Sequence, residues 1–208
     1  MASASLRRQG ARWRWFSVWF SASTMPPEPL RTTSDRVALT QSELREFELF
    51  FQHYQHRLFG YLWRVTGEEQ TAYDLSQETF VRAWQHFRTI KSYERPDAWL
   101  LRVATNLMLN QQRRGATPIG RAAPFDVITD PASSDPTVRL AERDLVQTVL
   151  ACLAPRSRAA LVLREVYGFS CAEVGVALGI SRSAAKMVLL RARDEFRVRY
   201  QSEGGDRR

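Results

Sequence analysis

Apolar side chains in this sequence recur at steps of three and four residues, and no stretch alternates at a period of two over the length of a strand. From Ser42 onward, Leu44, Phe47, Phe51, Tyr54, Leu58, Tyr61, Leu62 and Val65 fall on one helical face, and Gly67 closes the run. A second helix is expected from about Glu69 to Phe87, with Tyr73, Phe80, Trp84 and Phe87 on its buried side. Pro96 suits the first turn of a third helix that continues to Arg113 and Arg114 ahead of Gly115. A later stripe of Val138, Ala141, Leu145, Val149 and Cys152 opens further helical segments that run to about Tyr200. Helices that each bury one stripe must pack on one another, so the fold class is all-α.

The periodicity breaks over residues 115–136, where Gly, Pro, Ala, Ser and Asp predominate. That composition reads as a flexible linker between two small helical domains, 42–114 and 137–200, with a disordered tail at 201–208. A chain of 208 residues accommodates two such domains. Residues 1–40 differ from the rest, with a Trp- and Arg-rich run followed by Pro26, Pro27 and Pro29. Arg12 and Arg14 interrupt its apolar stretch, which makes a poor signal peptide. It reads as a disordered leader, or as sequence upstream of a start at Met25, rather than as an interfacial membrane anchor. Stable membrane insertion is not expected, and the expected location is cytoplasmic.

The net charge of +8 points to a polyanionic partner. Lysine occurs only at Lys91 and Lys186, so the basic surface is nearly all arginine, whose planar fork suits phosphate and guanine. Cys152 and Cys171 have neither disulfide context nor metal-ligand spacing. His53 and His56 share a helical face without a third ligand, and no phosphate loop, nucleophile elbow or paired-carboxylate motif occurs. Neither enzyme chemistry nor a metal or other cofactor is expected.

The most specific local pattern is GFSCAEVGVALGISRSAAKMVLLRAR, which has the layout of a helix-turn-helix. Ser170 and Glu173 can form a capping box, Gly179 allows a left-handed turn, and Ser181 can cap the second helix. The outer face of that helix then presents Arg182, Ser183, Lys186, Met187 and Arg193, and its amino end is the part such motifs insert into a major groove. Arg191, Arg197 and Arg199 read better as phosphate contacts than as base readers. In the first domain, DAWLLRVATNLMLNQQRR places Trp99, Arg102, Asn106, Asn110 and Arg113 on one face, with Arg114 beside it and no acidic residue between Ala98 and Phe125. A stacking ring, amides and guanidinium groups together suit unpaired bases and phosphates.

The segment AYDLSQETFVRAW, the WLLRVATNLMLNQQRR helix, a linker and a closing helix-turn-helix entered by LAPRSRAALVLREVYGFS follow one another in an order that resembles the extracytoplasmic-function sigma factors. The resemblance implies a two-domain initiation factor that binds core RNA polymerase and directs it to promoter DNA, including strand opening. Under it, Asp74, Leu75, Gln77, Glu78 and Phe80 inherit the polymerase-docking role. The segment from Arg88 to Arg95 and the following helix, with Trp99, Arg102, Asn106, Asn110, Arg113 and Arg114, inherit the minus-10 element, and Arg182, Ser183, Lys186, Met187, Arg191 and Arg193 the minus-35 element. Many members are held inactive by an anti-sigma protein, which adds one further partner to expect. Asn110 stands where the family often has an acidic residue, and the run from Ala184 to Val188 departs from the usual Thr-Val-Lys-Ser-Arg-like segment. The rival reading is an operator-binding helix-turn-helix regulator, which has no need of the DLSQETF face.

Overall fold

A computed structural model describes residues 40–115 and 136–204, and among these residues it contains eight helices and no strand. The expected linker and leader lie outside the described residues, apart from their edges; of the expected disordered tail at 201–208, residues 201–204 instead continue the last helix, and the rest lies outside the described residues.

Helix α1 spans Gln41–Thr66. Thr40 caps it, accepting from the Glu43 backbone N–H while the Glu43 carboxylate accepts from the Thr40 N–H, and Gly67 ends it in the left-handed region at φ 71°. Arg88 clamps the same carboxylate from the side at 2.7 Å and holds it well below its ordinary range, at about 2. Helix α2 spans Glu69–Gln85 and stops two residues earlier than the apolar spacing suggests. The chain turns at His86, and Phe87 enters the core from a separate short helix, α3 (Phe87–Ile90). Phe47, Phe50, Trp84 and Phe87 pack edge to face around that turn, with Phe47–Trp84 and Phe47–Phe87 centroids at 4.9 and 5.1 Å. Closing that aromatic cluster requires the bend.

Helix α4 spans Pro96–Arg113, and Pro96 occupies its first turn as expected. Asp97 follows it, an acid at the positive end of the helix, bridged to Arg57 at 3.1 Å and Arg95 at 3.6 Å. Leu100, Ala104, Leu107 and Met108 are buried, as are Leu101, Thr105 and Leu109 one position along. Thr105 Oγ1 donates to the Leu101 carbonyl at 2.6 Å, so the buried Tyr61 hydroxyl, also 2.6 Å away, donates to Thr105. That pair ties α1 to α4 through the core.

The second domain comprises α5 (Pro136–Cys152), α6 (Pro155–Glu165), α7 (Cys171–Leu178) and α8 (Arg182–Gly204). Val149 continues the expected stripe into the core, whereas Cys152 is exposed at the helix end. Among the described residues, no helix is long and apolar enough to cross a membrane, and no cluster of His, Cys, Asp and Glu is placed to hold a metal.

The two helical domains pack on one another instead of standing apart: α1 lies against α5 and α6, and α4 lies against α7. Arg158, only 1% exposed, sits at the junction. Its Nη1 donates to the Val65 carbonyl at 3.0 Å, and its Nη2 donates to Ala151 and Leu153 carbonyls at 2.6 and 3.2 Å. These acceptors lie at or just beyond the carboxyl ends of α1 and α5, where backbone carbonyls lack partners and the helix field favours a cation. Burial lowers the guanidinium to about 10, which leaves it charged at neutral pH.

Candidate nucleic-acid interface

The helix-turn-helix is assembled as its local chemistry requires. Ser170 accepts from the Glu173 backbone N–H at 3.2 Å, while Glu173 accepts from the Ser170 N–H at 2.7 Å. That backbone hydrogen bond, then the Ser170 side chain, holds the Glu173 carboxyl below its ordinary range. Gly179 takes φ 64°, where a side chain would strain the backbone. Ser181 caps α8 by accepting from the Ala184 N–H at 3.1 Å. At Gly175 the two helices meet closely: an added Cβ would lie 2.9 Å from the Ile180 carbonyl oxygen.

This framework buries Val174, Leu178, Ala185 and Leu189 and turns Arg182, Ser183, Lys186, Met187, Arg191 and Arg193 outward. No ion pair with another described residue holds Arg182, Lys186 or Arg191, whereas Arg193 is engaged by Glu165 at 2.6 Å. Arg197 and Arg199 are also paired, to Asp194 and Glu195. The free cations therefore gather toward the amino end of α8. That first turn has no acidic residue and begins with Arg182, a cation where the helix field disfavours one. Arg182 and the unpaired amides there suit an approaching phosphate more than they suit the helix itself. Leu190, 52% exposed, extends the apolar patch of Met187 on the same helix. The sequence pattern assigned Leu190 no role, because an apolar residue in an apolar-periodic helix reads as core.

A second exposed surface lies on α4. Arg102, Asn110, Arg113 and Arg114 are exposed, and Trp99 and Asn106 are half-buried beside them. The Trp99 ring lies 6.2 Å from that of His86, tilted against it, so the α2–α3 turn stands beside the indole. Arg102, Arg113 and Arg114 make no ion pair with a described residue. Tyr93, 43% exposed, precedes Arg95 in the loop before α4 and places a further aromatic ring at this domain's surface.

The α2 residues divide. Asp74 and Glu78 are exposed and Gln77 is half-buried, with Gln70 donating to Asp74 and Arg82 to Glu78. Leu75 and Phe80, grouped with them by sequence, are 4% and 2% exposed and belong to the core; Phe80 packs on Phe51 at 4.6 Å. In this conformation they position the polar face and are not part of its surface.

Residues 50–117 match the family model described as Sigma-70 region 2, and residues 143–196 match that of Sigma-70, region 4. The sigma factor SigL of Mycobacterium tuberculosis is 34% identical over 150 residues, which cover 71% of this chain and 84% of SigL. The chain belongs to the ECF RNA polymerase sigma factors. The RNA polymerase sigma-E factor of Streptomyces avermitilis is 29% identical, across 82% of this chain and 93% of that one. SigG of M. tuberculosis is 31% identical over 206 residues, but this chain spans only 55% of its length. Among solved structures, the sigma factor RpoE of Bartonella quintana, crystallised with the anti-sigma factor NepR, superposes with a TM-score of 0.57 at 19% identity, covering 79% of this chain and 99% of that one. CnrH, solved with the cytosolic domain of CnrY, gives 0.52 at 24% identity over 77% of this chain and 90% of that one. Both share this ECF sigma fold. The matched segments coincide with the two basic surfaces: region 2 contains α4, and region 4 contains the helix-turn-helix up to Phe196.

Proposed function

We propose that this chain binds core RNA polymerase and directs it to promoter DNA, with α8 reading duplex at the minus-35 element and α4 holding separated strands at the minus-10 element. The observation that supports this reading best is the presence of two cationic faces of different chemistry in one sigma-family chain. The α8 face offers Arg182, Lys186 and Arg191 with apolar Met187 and Leu190, a mixture suited to phosphates, base edges and thymine methyls in a major groove. The α4 face offers Trp99, Asn106, Asn110 and Arg102, suited to bases no longer stacked in a duplex.

Asp74, Gln77 and Glu78 form the polymerase-docking face of α2, with Leu75 and Phe80 fixing its position from below. An anti-sigma protein is a further partner, in keeping with the complex in which RpoE was solved. Work on polymerase and promoter places the chain in the cytoplasm. It acts without a cofactor and performs no covalent chemistry of its own.

The test is transcription in vitro with core polymerase and this chain on a library of genomic promoters. Promoter-specific initiation with permanganate-reactive thymines near the start site is the expected result. Duplex binding unaffected by polymerase, with no strand opening, would replace the initiation factor with an operator-binding regulator.

A further inference from the structure

The outermost line along the first half of α8 is apolar. Ala185, Leu189 and Ala192 are buried and define the side of the helix that faces the core. At about 100° per residue Met187 lies almost diametrically opposite them, with Ser183 and Leu190 to either side of that line. Met187 and Leu190 are 49% and 52% exposed, so packing within the domain does not account for them. The hydroxyl on this line, that of Ser183, lies 3.0 Å from the hydroxyl of Ser181, the residue that caps the helix.

Cations border the line. Lys186 stands about 90° to one side of the outermost direction and Arg191 about 50° to the other, neither paired with an acid among the described residues. The run from Arg182 to Arg193 contains no acid. The first carboxylates on the helix belong to Asp194 and Glu195, which Arg197 and Arg199 engage. An apolar line with positive charge on both flanks is complementary to a major groove, where phosphates form the two edges and thymine methyls stand on the floor.

We infer that Met187, with Leu190 one turn along, reads thymine through its C5-methyl group at the centre of the minus-35 element. The inference rests on the reading of α8 as the helix that enters duplex DNA there. A thioether and an isobutyl group cannot form the bidentate pairs by which arginine selects guanine or asparagine selects adenine. The thymine methyl is the apolar group that the bases present in this groove, and so the feature such side chains can distinguish. Pressed against a G·C pair, they would strip water from polar base edges and return no hydrogen bond, which disfavours that pair. Methionine, unbranched and flexible, can follow a methyl on either strand. From Ser183 to Leu190 the line runs about 10 Å at 1.5 Å per residue, which spans about three base pairs at roughly 3.4 Å each.

The experiment uses core polymerase with the full chain and a promoter recovered by transcription in vitro. Each thymine of its minus-35 element, on either strand, is replaced singly by deoxyuridine, which keeps the base pair and removes only the methyl group. Closed complexes are titrated at a temperature too low for strand opening. Replacement at one or two positions should weaken binding about fourfold each, the worth of one buried methyl group. The chain carrying Met187→Gln and Leu190→Gln should bind thymine and uracil templates equally, whereas Met187→Leu alone should keep the distinction. These positions are exposed, so circular dichroism should show unchanged helicity in both variants. Uracil tolerated at every position, a minus-35 element of G·C pairs alone, or a thymine preference undiminished by the paired substitution would overturn the inference. If polymerase recovers no promoter, the comparison is made on duplexes that the chain alone selects from a random pool. A uracil penalty there would replace the initiation factor with an operator-binding regulator and leave the methyl readout standing, and failure to select any duplex would remove both.

Discussion

Replacing Arg158 offers a direct measure of what joins the domains. Arg158→Ala removes donors to three carbonyls at 3.0, 2.6 and 3.2 Å, on Val65, Ala151 and Leu153. A buried acceptor left without a partner costs about 1–3 kcal/mol, so three would give a gross loss of about 3–9 kcal/mol if all stayed dry. Two effects reduce it. Removing the guanidinium also removes the penalty for burying a charge, about several kcal/mol, and water can enter the vacated space to serve some of the carbonyls. The expected net destabilisation is about 2–4 kcal/mol, read from urea denaturation at constant slope. Arg158→Lys should recover only part of it, because an ammonium on a flexible stem cannot present the fork that serves Val65 and Ala151 together. A loss below about 1 kcal/mol for Arg158→Ala, against the usual worth of a single hydrogen bond, would refute the assignment of Arg158 as the joint between α1 and α5.

At Gly175, substitution by Ala should cost about 1–3 kcal/mol by overpacking against the Ile180 carbonyl and weaken duplex binding in a gel-shift assay, with the first domain's thermal stability unchanged. Arg182→Ala or Lys186→Ala should lower duplex affinity by about 1–3 kcal/mol if the side chain reads a base edge, and chiefly reduce the salt slope if it meets phosphate. Arg102→Ala or Asn106→Ala should spare closed complexes and diminish permanganate reactivity in open ones. Gln77→Ala with Glu78→Ala should weaken capture of core polymerase at unchanged helicity, and equal capture would reject the α2 docking face. Glu43 titrates near 2 in the folded chain against an ordinary 4.5, so its contribution is present above pH 4.5 and lost as pH falls through 2. Glu43→Gln should flatten the acid limb of a stability–pH profile over that window.

Local signals in the sequence determined much of this protein. The capping box of Ser170 and Glu173, the left-handed Gly67 and Gly179, and Pro96 in a first turn each depend on interactions within a few residues, which a sequence displays directly. The three- and four-residue spacing of apolar side chains likewise determined the helical class, and the outward faces of α4 and α8 followed from the same period. Where the spacing misled, a neighbouring helix intervened. The end of α2 at Gln85 and the turn at His86 depend on Phe47 and Phe50 receiving Phe87, whereas Phe80 is buried as its spacing implies, and it is the family resemblance that groups it and Leu75 with the exposed docking residues.

Only the tertiary structure decided how the free cations are distributed and how the domains meet. Arg182 and Arg193 are both arginines on the outer side of one helix, yet Glu165, 28 residues before Arg193, engages that residue and leaves Arg182 without an ion partner among the described residues. No local pattern singles out Arg158, and its burial follows from carbonyls of Val65 and Ala151 that come together only when α1 and α5 end at the same place. A local pattern can specify a helix and its caps because those hydrogen bonds close within four residues. It cannot specify which charges find partners, because those distances are set by the packing of segments remote in the chain.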